Sequence, residues 1–251
     1  MGFFISFLVF AFGLCIGSFL NVVIFRLHAK KTFGGRSQCQ ECGHQLAWFD
    51  LVPVVSFLIL GGQCRYCHKH ISIQYPLVEL STGLAFTFIY YNTDSLRSMI
   101  FFWYIACTFI VIFTYDIHHF LIPDIILFPA IIITALYHVT IHYTQFISYG
   151  IAAGGACGFF LLLYMLSQGR WIGFGDVKLV ILLGLLLGWP VIIVGLFIGF
   201  WIGAVWGTTM MIVAKKNLKS QLPFAPSLIC GTCVALVWGP ALVQWYMGFL
   251  S

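Results

Sequence analysis

Val191-Ile-Ile-Val-Gly-Leu-Phe-Ile-Gly-Phe-Trp-Ile-Gly-Ala-Val-Trp-Gly-Thr-Thr-Met-Met-Ile-Val213 runs for 23 residues without a charge. A helix that crosses a membrane needs about 20 mainly apolar residues, because it must satisfy its own backbone groups across the hydrocarbon layer. This stretch meets that need. Reading outward from it, comparable runs fall at 3–25, 76–92, 98–115, 123–141, 147–167, 177–189 and 224–248. They predict an all-α polytopic membrane protein with about eight transmembrane helices. The composition agrees, since 61% of the 251 residues are hydrophobic and 8% are charged, where a soluble domain has roughly 45–50% and about 25%. Lipid is therefore the expected solvent for most of the chain. The run 3–25 lacks an early basic region and is too long for a signal-peptide core, so it reads as a retained first span.

The net charge of +5 means little until the cations are placed along the chain, and they are not spread evenly. Residues 26–75 hold eight of the 19 formal charges and the others punctuate apolar runs. The expected organisation is a first transmembrane helix at 1–25, a polar loop domain at 26–75 and a helical membrane domain at 76–251. If eight spans alternate sides, one side carries Arg26, Lys30, Lys31, Arg36, Arg65, Lys69, Arg170, Lys178, Lys215, Lys216 and Lys219, and the other only Arg97. That bias predicts a cytoplasmic loop domain. Glycines four apart, Gly13 and Gly17, Gly184 and Gly188, and Gly195, Gly199, Gly203 and Gly207, read as faces for close helix packing, with the seventh span expected to be buried between neighbours.

Within the loop, Cys39-Gln-Glu-Cys42 and Cys64-Arg-Tyr-Cys67 form two Cys-x-x-Cys hooks. Each hook offers two sulfurs to adjacent corners of a tetrahedron, so the pair predicts a four-thiolate structural zinc site. Two disulfides or two redox pairs are the alternatives, and a reducing cytoplasm disfavours the disulfides. Gly43, and Gly61 with Gly62, supply the tight turns such knuckles need. His44, His68 and His70 read as surface histidines. Cys230 and Cys233 lie within an apolar span and read as a small-residue packing face, as do Cys15, Cys107 and Cys157.

Only seven carboxylates are present, and Asp116, Asp124 and Asp176 stand where apolar spans end or begin. An ionisable group at the membrane is a functional candidate by default. Capping and the helix dipole offer plainer readings for Asp124 and Asp176. What distinguishes Asp176 is Gly173-Phe-Gly-Asp176, in which two glycines leave room for another backbone to approach. Two carboxylates brought together do not ionise equally, which leaves one acid and one base to activate a water against a peptide carbonyl. Spacing alone leaves open whether Asp116 or Asp124 is the partner of Asp176.

Taken in order, these segments resemble the type IV prepilin peptidases, bacterial membrane aspartic proteases. The resemblance runs through Gly17-Ser-Phe-Leu-Asn-Val-Val-Ile-Phe-Arg-Leu27, the two cysteine hooks, Asp50-Leu-Val-Pro-Val-Val-Ser56 and Tyr75-Pro-Leu-Val-Glu-Leu80. It continues through Tyr115-Asp-Ile-His-His-Phe-Leu-Ile-Pro-Asp124, Gly173-Phe-Gly-Asp-Val-Lys-Leu179 and Leu222-Pro-Phe-Ala-Pro-Ser227. It implies that Asp116 and Asp176 are the catalytic pair, with Asp124, Gly173, Gly175, Lys178 and Glu79 in supporting positions. It further implies a multi-pass protein of the bacterial plasma membrane that cuts prepilin or pseudopilin precursors on the cytoplasmic side. Relatives with the cysteine domain also methylate the new amine, which implies use of S-adenosylmethionine.

No glycine-rich nucleotide loop marks a site for that donor. The chain departs from the family pattern at Gln40, Gln74 and His118. Lys178 reads as a boundary residue that snorkels to the membrane surface. The competing reading is a proton-coupled transporter, which calls for repeat symmetry between the halves, and none is visible. Lipid and precursor peptides are the expected partners, and nucleic acid is not.

Overall fold

The computed structural model describes residues 2–29, 32, 34–141, 145–213 and 222–250; Lys30, Lys31, Lys215, Lys216 and Lys219, counted above among the cations, lie outside them. Among the described residues the chain is helical, with only two isolated bridges of extended backbone. The helices are α1 Gly2–His28, α2 Val55–Ile59, α3 Gln74–Asn92, α4 Leu96–His119, α5 Asp124–Ile141, α6 Phe146–Ser167, α7 Phe174–Leu187, α8 Val191–Val213 and α9 Ala225–Leu250. Six of them, α1, α4, α5, α6, α8 and α9, are long and apolar enough to cross a membrane. The other two expected spans are α3, whose Glu79, Thr82 and Thr87 lower its apolarity, and α7, which has only 14 residues. Eight is therefore an approximate count. The chain divides into two compact units, 1–111 and 112–251.

In the first unit α1 packs along α3. Glycine makes this possible, because a Cβ on Gly13 would lie 2.7 Å from the Gly83 Cα and one on Gly17 would lie 2.7 Å from the Glu79 Cα. Close backbone approach of this kind holds helices together where lipid supplies no hydrophobic drive. Trp103 of α4 stacks on Phe86 with ring centroids 4.7 Å apart and donates its indole N–H to the Phe86 carbonyl at 3.1 Å. The cysteine loop domain joins α1 to α3.

In the second unit α7 is the central helix, in contact with α5, α6, α8 and α9. Its Leu179, Val180, Leu182 and Leu183 have no exposed surface, which explains how so short a helix belongs to a membrane domain. A Cβ on Gly184 would meet the Ala153 backbone at 2.5 Å, so α6 and α7 touch through main chain. Gly188 packs close to α6 as expected, since a Cβ there would lie 2.9 Å from the Tyr149 ring, and it also ends α7 with φ +68, a conformation that suits glycine.

The seventh expected span, α8, is not buried between neighbours. Its glycine stripe packs on α9, where a Cβ on Gly231 would lie 2.4 Å from the Gly195 carbonyl oxygen, while Phe197, Trp201 and Trp206 stay exposed toward lipid. Nor do Cys230 and Cys233 form the packing face of α9. Gly231 between them makes that contact, and Cys233 is exposed.

Candidate active site

α4 carries Asp116 three residues before its end, where the Phe120 N–H closes on the Asp116 carbonyl at 2.9 Å and Phe120 turns into the left-handed region at φ +54. The segment Phe120–Pro123 links α4 to α5. It also seats Ile122 against the start of α7, 3.3 Å from where a Cβ on Gly175 would be. Gly175 is thus needed for the approach of Ile122, a neighbour in the same chain. Gly173 has φ −73 and ψ 148, an extended shape open to any residue, so backbone freedom is not what glycine supplies there.

Asp116 and Asp176 are both buried, 5% and 8% exposed. Each carboxylate accepts one backbone N–H at the start of a helix. Asp116 Oδ2 takes the N–H of Ala225, first residue of α9, at 3.2 Å. Asp176 Oδ2 takes the N–H of Gly173, at the start of its own helix, also at 3.2 Å. Asp176 therefore occupies the third position of a capping arrangement rather than the cap itself. Both helix starts favour negative charge. The two side chains are near enough for the charge on Asp116 to act on Asp176. Such a pair can hold a water and pass protons through it.

Asp124, at the start of α5, is not directed to this pair by any contact among the described residues. It forms an ion pair with Lys178 of α7. The Lys178 ammonium holds Asp124 and lies 5.7 Å from the Phe128 ring centre and 5.6 Å from that of Phe174. His118 is exposed and two residues from Asp116, a spacing that puts side chains on different helix faces. Glu79 belongs to the first unit, where its Oε2 accepts the Val54 N–H at 2.7 Å. The residue that sequence reasoning missed is Ala225, whose contribution is a backbone N–H. Its only signal was the proline-flanked entry Leu222–Ser227, which fixes where α9 begins.

The four cysteines Cys39, Cys42, Cys64 and Cys67 gather with their sulfurs all within 4.8 Å of one another. Both hooks have the same build. The Cys39 N–H bonds the His44 carbonyl and the Cys64 N–H bonds the Lys69 carbonyl, each at 2.9 Å. Gly43 and His68, the residues after each second cysteine, share the left-handed conformation at φ +69 and +56. Gly61 and Gly62 turn the chain after α2, ahead of the second hook. Tetrahedral zinc at about 2.3 Å from each sulfur places sulfurs roughly 3.8 Å apart, and Cys39 and Cys67 stand at 3.9 Å. A disulfide would need about 2.05 Å.

The backbone N–H of Cys42 holds the Cys39 thiol down at about 7. The donor set fits a metal that prefers four thiolates. His44, His68 and His70 are exposed and outside the cluster. Asp50 braces the second hook through Arg65 at 2.8 Å. Gln40, a departure from the family pattern, ties the first hook to α3 by donating to the Tyr75 hydroxyl at 2.6 Å.

Comparison with known proteins gives two family matches. The bacterial peptidase A24 N-terminal domain matches residues 11–93, and the type IV leader peptidase family matches residues 103–208. Among curated relatives, the prepilin leader peptidase/N-methyltransferase of Aeromonas hydrophila is 31% identical over 96% of this chain and 93% of its own length. Proteins of the same name from Bacillus subtilis (strain 168) and Pseudomonas aeruginosa are 30% and 28% identical, covering 96% and 94% of this chain and 97% and 91% of their own. No solved structure gives a significant match.

Proposed function

The chain belongs to the type IV leader peptidase family, and from that premise we propose that it is a membrane aspartic endopeptidase that removes the leader of prepilin or pseudopilin precursors and then methylates the new amino terminus. The observation that carries the peptidase reading is the buried pair Asp116 and Asp176, each fixed by one backbone N–H. That single bond leaves the remaining oxygen lone pairs for a water and a peptide carbonyl. One carboxylate takes a proton from the water as its oxygen attacks the carbonyl carbon. The other, protonated, donates to the carbonyl oxygen, and collapse of the tetrahedral adduct breaks the C–N bond as the amine is protonated. The pair titrates as a unit, so acid and base are roles of the dyad rather than of either residue.

Gly175, Ile122 and the Asp124–Lys178 ion pair serve this reading as supports that hold the start of α7 against the α4–α5 turn. The active site faces the cytoplasm in this proposal, as the cation bias supports. The cysteine cluster holds zinc as a structural ion, since four thiolates fill its shell and leave no place for substrate. S-adenosylmethionine supplies the methyl group for the second activity, as the relatives' name implies. The transporter reading has no support, because the cysteine site of the first unit has no counterpart among the described residues of the second.

The test is mass spectrometry of a prepilin-like precursor incubated in membranes with wild type, Asp116→Asn or Asp176→Asn and with S-adenosylmethionine. Leader loss with wild type only, followed by a gain of one methyl mass, is the expected result. Cleavage at the wild-type rate by either variant at normal abundance would refute the dyad.

A further inference from the structure

Trp48-Phe-Asp-Leu-Val-Pro-Val-Val-Ser-Phe-Leu-Ile-Leu60, inside the cysteine domain, carries a single charge, Asp50. An apolar stretch of about 10–14 residues is too short to cross a bilayer and suits a segment that lies in its interface. Asp50 does not interrupt the apolar surface. Its side chain is 3% exposed, with Oδ1 held by Arg65 and Oδ2 by the Ala47 N–H. Trp48, Leu58 and Ile59, by contrast, are 79%, 70% and 75% exposed, and Phe49, Val52 and Val55 of the same run are exposed as well. So many large apolar side chains left open in one short segment mark a contact surface.

The level of this segment follows from how it is tied to α3. Gly13 faces Gly83 and Gly17 faces Glu79, so α1 and α3 run antiparallel and the cysteine domain leaves and re-enters the membrane at one surface. The 27 residues of α1 measure about 40 Å, roughly 10 Å more than the hydrocarbon layer. Gly17 stands about 16 Å before the end of α1 at His28. Even with all the excess length at that end, Gly17 and the facing Glu79 lie below the hydrocarbon surface. The Glu79 side chain leans toward the start of α3, which brings its carboxylate up to the boundary between acyl chains and headgroups. There it accepts the Val54 N–H at 2.7 Å, at a residue with φ +61 just ahead of α2. A loop N–H at that depth needs an acceptor from the protein, because water is scarce.

Two more observations name lipid as the occupant. Phe25 of α1 and Leu51 of the segment, both exposed, wall one cavity, so the apolar surface continues from the flank of a membrane helix onto the segment. Arg65, 44% accessible, lies 5.0 Å from the Phe49 ring and sets a cation at the edge of that surface, where a phosphate headgroup stands.

We propose that Trp48–Leu60 is seated in the membrane interface, with its apolar side chains among the upper acyl chains, Trp48 at headgroup level and Arg65 on lipid phosphate. The cysteine domain is then held down on the bilayer by this face as well as by its two helical tethers. The peptidase reading is not needed for this, and an inactive Asp176→Asn chain labels as wild type does.

The test uses the full chain in phospholipid nanodiscs without precursor. A lipid-soluble aryl diazirine delivers carbenes to the acyl layer, hydroxyl radicals report contact with water, and peptide mass spectrometry maps both. Carbene label on 48–59 is expected within about threefold of that on Trp201 and Trp206 of α8, and oxidation of Trp48 at least about tenfold slower than in the unfolded chain. Oxidation of Trp48 near the unfolded rate, with no carbene label on the segment, overturns the proposal. Protection from both reagents means that protein covers the face, and overturns it too. Protection that arises only when precursor is added assigns the face to that peptide instead of lipid.

Discussion

Asp116 Oδ2 and the backbone N–H of Ala225 meet at 3.2 Å, joining the end of α4 to the first residue of α9 across 109 positions of chain. A charge-assisted bond of this kind contributes about 1.5–3 kcal/mol. Ala225→Pro removes the N–H while keeping a residue suited to a helix start. The expected outcome is a fall in kcat of roughly tenfold to a hundredfold at unchanged zinc content, read by leader cleavage and metal analysis on the same preparation. An unaltered kcat would show that the bond does not position the dyad.

The Asp124–Lys178 ion pair is partly exposed, with side chains 53% and 19% accessible, so its coupling should be small. Asp124→Asn, Lys178→Met and the double variant should give a coupling energy below about 1 kcal/mol by thermal unfolding in detergent. Cleavage should fall by similar factors in all three variants, since either single change already breaks the pair. Strictly additive losses of activity would place the two residues in separate roles.

Helix contacts made through bare backbone should tolerate no side chain. Gly231→Ala and Gly184→Ala force atoms to within 2.4 and 2.5 Å of neighbouring backbone and should each cost about 1–3 kcal/mol. Gly155, in the middle of α6, has open space around it. Gly155→Ala should be neutral or stabilise by up to about 1 kcal/mol through helix propensity. Thermal midpoints of the three variants decide the matter, and a destabilised Gly155→Ala would mean that its face is covered in the membrane.

His68 holds a left-handed conformation that its counterpart Gly43 adopts freely. His68→Gly should stabilise the cysteine domain by about 0.5–1 kcal/mol, the left-handed penalty less the extra chain entropy of glycine. Zinc content should remain at one ion per chain, whereas Cys64→Ser or Cys67→Ser should reduce it. Loss of zinc in His68→Gly would make the histidine a ligand and overturn the four-thiolate assignment.

Much of this was legible in the sequence because membranes impose a simple code. The uninterrupted apolar run at 191–213 became α8 with the same limits, and the Cys-x-x-Cys spacing brought four sulfurs together. Short and polar spans were harder, since α7 depends on burial by four other helices and α3 hides Glu79 and Thr82 against its neighbours. Long-range partners were not legible at all. Nothing local marks the Ala225 amide as a ligand of Asp116 or Lys178 as the mate of Asp124, because those meetings depend on how distant helix ends converge. Glycine spacing identified α8 as a packing helix and could not tell which glycines touch a neighbour, end a helix or face lipid.

The 14 residues of α7 correspond to a length of about 21 Å, some 9 Å less than the hydrocarbon thickness of a typical bilayer. Asp176 near one end and Gly188 at the other therefore cannot both reach a headgroup layer. If the Gly188 end lies level with one surface, the dyad stands beneath the other, at a depth where bulk solvent does not reach unaided. Hydration then becomes a rationed reactant, admitted through the protein rather than shared with the surroundings. An enzyme arranged this way can keep a hydrolytic centre beside lipid while only a correctly inserted precursor brings its scissile bond to the same level.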